Sequence, residues 1–255
     1  MNPPGWILRP VVWFAAASML TTILHEFTHA CTAYALGVRS TLFNYSVDLD
    51  MTQAQAAGHE RALIAIAGPL CCLAFGTVAW IAFRRTRDSA AALPLLYLSV
   101  FGVATFFGNA MSTAFAGDFS FVAIALRLPL PARYAISLIG ALLVAAIHFR
   151  AGRELTRWIP VQIGRVLGAL GVVALPVVLG TAAVILANSP MPSTAMAARI
   201  GEASFWIFAV IGVVVAPRPS RGGHERPLLR WADGAAILLA VLVVRLMVRG
   251  IPFVP

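Results

Sequence analysis

The chain has 255 residues, of which 60% are hydrophobic and 11% charged, and its mean hydropathy is +0.86. Soluble domains carry about 25% charged residues, so the composition excludes a water-soluble enzyme. It leaves room for six or seven membrane spans with short connections and no soluble module of ordinary size between them. The net charge of +9 does not point to nucleic acid: every basic residue is an arginine, and most lie between apolar runs, as topology signals do.

Pro3, Pro4 and Trp6 form an interfacial lead to the first apolar run, which is predicted to be helical over 11–35 and to stop at Gly37. The run continues through a functional motif, so it does not read as a cleavable signal. That motif is His25-Glu26-Phe27-Thr28-His29. Positions four apart share a helix face, so His25 and His29 can offer both imidazoles to one metal ion. Glu26 sits about 100° round the helix, where it can reach a water on that metal and act as general base. A carboxylate in a membrane-length segment costs about 2.5–3.5 kcal/mol on insertion scales and marks a functional position by default. The polar stripe Thr21, His25, Thr28, His29 and Thr32 is expected to face protein or a water-filled cavity. The plain alternative is that the threonines bond their own helix carbonyls.

Period-two alternation over 43–51 predicts a half-buried strand. Its edge can hold a substrate in extended form, with Asn44 and Tyr45 as substrate-binding candidates; the alternative is a surface hairpin without that role. The second span is predicted over 60–83, with Pro69 freeing the carbonyl of Ala65 and bending the helix, and Gly68 permitting close helix contact. The third, over 92–111, contains Asn109, which can bind substrate or orient a ligand. Asp118 is the only carboxylate between Asp88 and Glu154 and is flanked by apolar sequence. Such a group is costly unless paired or metal-bound, which makes it the candidate third ligand. Capping of a helix over 119–128 is the competing explanation, and Glu60 is the next choice of ligand.

Pro129 and Pro131 break the chain before a fourth span over 132–149, whose terminal His148 reads as interfacial. The fifth, over 163–187, carries Gly164 and Gly168 in helix-contact spacing. The sixth and seventh are predicted over 200–216 and 232–248. Between them lies a basic loop with Arg218, Arg221, Arg226 and Arg230, and with His224 as a solvated residue. Glu202 is expected to pair locally. Cys31, Cys71 and Cys72 form no C-x-x-C pair and suggest neither disulfides nor a thiolate metal site. Counting arginines in alternate loops puts twelve on the N-terminal side and seven on the other. The first side is then cytoplasmic and the metal lies nearer the opposite face.

Taken together, the His25-Glu26-Phe27-Thr28-His29 motif, Ala33, Gly37-Val38, the strand-like 41–51, Ile66-Ala67-Gly68-Pro69-Leu70 and the later Asn109 and Asp118 resemble the site-2 protease family of intramembrane zinc metalloproteases. The resemblance covers roughly residues 20–120. It implies one zinc ion per chain held by His25, His29 and Asp118, with Glu26 as base and a transmembrane segment of another membrane protein as substrate. The chain departs from the family's usual pattern at Thr28, at Ala110-Met111-Ser112 and at Phe119. The family's site usually lies toward the cytoplasm, opposite to the arginine count.

The expected fold is therefore an all-α polytopic membrane protein with about seven transmembrane helices and a short membrane-associated β-strand or hairpin after the first. Residues 1–130 form the metalloprotease core and 131–255 accessory helices, in a multi-pass protein of a bacterial inner (plasma) membrane. A transporter that relays protons or metal through His25, Glu26, His29 and Asp118 is the alternative. Internal repeats would favour it, and none is evident. A scaffold with a structural zinc would need a fourth protein ligand, and the motif's surroundings offer none.

Overall fold

The computed structural model describes residues 5–52, 55, 58–87, 89–217 and 231–255; the basic loop with Arg218, Arg221, Arg226, Arg230 and His224, and Pro3 and Pro4, lie outside them. The first apolar run forms one helix, α1 (Gly5–Ala35). Its 31 residues rise about 46 Å, more than the ~30 Å hydrocarbon core. It stops as predicted: Gly37 takes a positive φ of 73°, and the amides of Gly37 and Val38 satisfy the carbonyls of Tyr34 and Ala33.

The alternating stretch resolves into a hairpin rather than one strand over 43–51. Strand β1 (Arg39–Leu42) pairs antiparallel with β2 (Val47–Asp50), and Phe43 to Ser46 make the turn, closed by the Phe43 amide on the Ser46 carbonyl. A third strand, β3 (Ile251–Phe253), comes from the far end of the sequence and pairs with the other edge of β1. The order is β2-β1-β3.

The remaining helices are α2 (His59–Arg85), α3 (Ala92–Ser112), α4 (Asp118–Ala125), α5 (Leu130–Leu155), α6 (Arg165–Ala169), α7 (Leu175–Ala187), α8 (Ser193–Ser204), α9 (Ile207–Val215) and α10 (Trp231–Met247). A π-helical turn, Leu170–Ala174, joins α6 to α7, and the sixth predicted span is split into α8 and α9. Among the described residues, six helical stretches are long and apolar enough to cross a bilayer, so this is a multi-pass membrane protein. The count is six, not about seven. The seventh expected span, α10, has 17 described residues, which rise about 26 Å.

Helix α1 is the centre. Half of its apolar window is buried inside the protein, against 17% for the window in α5. Around its N-terminal half, Phe14 packs on Tyr97, Phe101 and Trp206 with ring centroids 5.0–6.2 Å apart. Glycines let neighbouring backbones touch: a Cβ on Gly102 would stand 2.7 Å from the Cys72 carbonyl oxygen and the Gly76 Cα, which fixes the α2–α3 crossing. The predicted Gly164 and Gly168 pair does not work this way. Gly168 receives the side chain of Ile159, and Gly164 meets nothing within 4 Å.

One ion pair inside the bundle ties α10 to the metal-motif helix. Arg9 Nε lies 3.0 Å from Asp233 Oδ2, Trp13 donates to the other carboxylate oxygen at 2.6 Å, and Arg9 also donates to the Ala90 carbonyl. Both charges are buried, and Arg9 depends on this carboxylate for its charge balance.

Candidate metal centre

Three donors meet where α1, α2 and α4 come together. His25 Nε2 and His29 Nε2 are 3.0 Å apart, His25 Nε2 is 3.0 Å from Asp118 Oδ2, and His29 Nε2 is 3.5 Å from the same oxygen. The helical i, i+4 spacing supplies the two imidazoles, and both are buried. Asp118 arrives from 93 residues on. It is the first residue of α4, whose N-cap is Gly117 with φ 82°, so its carboxylate turns to the histidines and caps nothing. Two contacts set α4 in place: Arg61 of α2 lies 3.9 Å over the Phe121 ring, and Phe119 packs edge-on against Phe106 of α3.

His25, His29 and Asp118 can hold a metal ion. Two nitrogens and one carboxylate oxygen suit a borderline cation such as zinc. Bonds of about 2.0–2.2 Å at tetrahedral angles place donors roughly 3.3–3.5 Å apart, close to the three edges found here. Glu60 is not part of the group.

No family model, curated protein or solved structure matches this chain.

The outer nitrogens of the imidazoles fix how the rings present themselves. His29 Nδ1 lies 2.6 Å from the Ile64 carbonyl. A carbonyl only accepts, so the proton sits on Nδ1 and the lone pair on Nε2 points at the other donors. The carbonyl used is that of Ile64, one residue before the Ala65 carbonyl that Pro69 leaves without its helix donor. His25 Nδ1 faces Cys72 Sγ at 3.7 Å, and the same sulfur lies 3.7 Å from the Thr21 carbonyl. A thiol that donates to Thr21 accepts from His25 Nδ1, which frees Nε2 for a metal. The sequence held no signal for this role of Cys72, because it depends on how α2 crosses α1.

Gly68 has a sharper role than general helix packing. A Cβ there would lie 2.5 Å from His29 Nε2 and 2.7 Å from its Cε1, so only glycine leaves the ring its place. Glu26 is half-buried and adjoins His25, and no hydrogen bond or ion pair among the described residues engages its carboxylate. The threonines divide: Thr28 and Thr32 donate to the carbonyls of Leu24 and Thr28, while the Thr21 hydroxyl is buried without a partner among the described residues.

The tentative substrate residues are placed differently from one another. Asn44 is buried, and its amide nitrogen donates to both the carbonyl and the side-chain oxygen of Asn188, which fastens the hairpin to the end of α7. Tyr45 stacks on Phe43. Asn109 donates to the Thr105 carbonyl, and its Oδ1 lies 3.6 Å from where a Gly117 Cβ would be, beside the Asp118 ligand. His148 is not interfacial. Its helix continues to Leu155, so the ring lies inside the bundle, edge-on to Trp206 at 4.9 Å. Glu202 pairs with Arg199 at 3.0 Å, as expected of a local partner.

Proposed function

We propose that this protein is an intramembrane zinc-dependent endopeptidase that hydrolyses a peptide bond in or near a transmembrane segment of another membrane protein. The observation that carries the reading is the convergence of His25 Nε2, His29 Nε2 and Asp118 Oδ2 within 4.8 Å of one another, next to a glutamate whose carboxylate makes no hydrogen bond or ion pair among the described residues. Three protein donors leave a coordination position open, which is the mark of a catalytic rather than a structural zinc site. A zinc ion in that place supplies Lewis acidity toward a water and toward the scissile carbonyl.

The chain's own groups account for the rest. Glu26, adjacent to one ligand, takes a proton from the attacking water and delivers it to the leaving nitrogen. Ile64 and Cys72 hold the two imidazoles in the tautomer that keeps both Nε2 lone pairs available. Burial among helices keeps bulk water from competing. A proton or metal relay would use the same four residues, but it would not need Glu26 as a base.

The test is Glu26→Gln in detergent-purified protein with a single-span model substrate. Cleavage falls by at least 10²-fold, the scale of general-base catalysis, while bound zinc stays at the wild-type stoichiometry. A Glu26→Gln protein that cuts at the wild-type rate refutes the assignment.

A further inference from the structure

A cavity of about 550 Å³ lies beside the metal centre, between α1, α3, α5, α7 and α8. One end is formed by Asn109, Ser112 and Gly117, next to the ligand Asp118; the other reaches His148 and Trp206. Ser137 marks the metal end along α5, since its hydroxyl accepts from the Ala114 amide. From there to His148 is 11 residues of helix, about 16 Å, or the length of about five residues of extended chain.

Several polar groups of the cavity have no hydrogen-bond partner among the described residues. Ser18 of α1, Thr105 of α3 and Thr181 of α7 line it, and none of their hydroxyls has a hydrogen-bond partner among the described residues. Elsewhere on α1, Thr22, Thr28 and Thr32 bond back to their own helix, the usual solution for a hydroxyl away from water, and Thr21 alone among the described threonines of that helix does not. His148 is 4% exposed. Its Nδ1 donates to the Val144 carbonyl at 2.8 Å, so Nε2 is an acceptor, and it too has no hydrogen-bond partner among the described residues. Four such groups from four helices along one trench suit a ligand with alternating donors and acceptors. An acyl chain would leave all four unsatisfied at a cost, whereas a peptide backbone carries an N–H and a C=O at every residue.

The geometry points to this cavity as the trench that receives about five residues of the substrate backbone, in extended form, to one side of the scissile bond, with Ser18, Thr105, Thr181 and His148 as its hydrogen-bonding partners. The inference rests on the metalloprotease reading and deepens it by assigning where the unwound substrate lies. Helix α8 roofs the trench. None of its residues is buried, and its Arg199 and Glu202 stand at the trench wall.

Gly108 gives the test. It lines the cavity, and a Cβ there meets nothing within 4 Å, unlike the glycines that serve helix crossings. A photo-reactive benzophenone amino acid in place of Gly108, in full-length Glu26→Gln protein reconstituted with lipid and a single-span substrate, should form an adduct with the substrate within about five residues of its cleavage site. Gly108→Phe should lower kcat/KM at least tenfold with zinc content unchanged, and Thr181→Val should raise KM with little change in kcat. Adducts with lipid alone, no adduct at all, or a Gly108→Phe protein that cleaves as wild type does would overturn the assignment and leave the protease reading standing. A substrate adduct at position 108 together with a wild-type protein that cleaves nothing would sink the protease and keep the peptide trench.

Discussion

His29 is held from both sides by α2: its Nδ1 donates to the Ile64 carbonyl at 2.6 Å, and Gly68, one turn on, leaves bare space at its Nε2. The ring therefore has one position, fixed by a hydrogen bond and by the absence of a side chain.

Gly68→Ala puts a methyl group 2.5 Å from that Nε2, so the ring or the helix must move. Metal affinity is expected to fall by 10–100-fold or more, the range for disturbed ligand support. Folding should be less affected, since alanine favours helix over glycine by about 1 kcal/mol. Metal content by elemental analysis, read beside the thermal midpoint, checks both. Full zinc occupancy at wild-type affinity in Gly68→Ala would contradict the placement of the ring.

Cys72 supports His25 through a long sulfur contact. Cys72→Ser keeps a donor and acceptor at that place and should retain metal, whereas Cys72→Ala should weaken binding about tenfold. Competition with a chelating indicator measures the two against wild type. Equal affinities in Ser and Ala would mean that the His25 ring is oriented by packing alone.

Asp118 is the candidate ligand that comes from far along the chain. Asp118→Ala and His25→Ala should each drop bound zinc well below one per chain, and stripping the wild type with a chelator should abolish cleavage that added zinc restores. Unchanged stoichiometry in Asp118→Ala, measured by elemental analysis, would move the third ligand elsewhere.

The Arg9–Asp233 pair stands apart from the chemistry. Removing Asp233 leaves the buried Arg9 guanidinium without its carboxylate, which costs about 3–5 kcal/mol. Asp233→Leu alone should lower the thermal midpoint strongly, and adding Arg9→Met to it should recover much of the loss. Differential scanning fluorimetry in detergent reads both; a single variant as stable as wild type would show that the ion pair is not coupling α1 to α10.

The sequence by itself determined the membrane class, the two imidazoles and the neighbouring acid, because composition and i, i+4 spacing are local quantities that a helix converts directly into one face. It also singled out Asp118, since a carboxylate isolated in apolar sequence must find a partner. Only the tertiary structure decided what surrounds them. The Ile64 carbonyl, Gly68 and Cys72 became supports of the site through the crossing of α2 on α1. Asn44 was drawn away to Asn188, β3 joined the hairpin from the other end of the chain, and His148 entered the bundle because its helix runs on to Leu155. Those outcomes depend on which helix faces pack together, and packing partners far apart in sequence leave no periodicity to read.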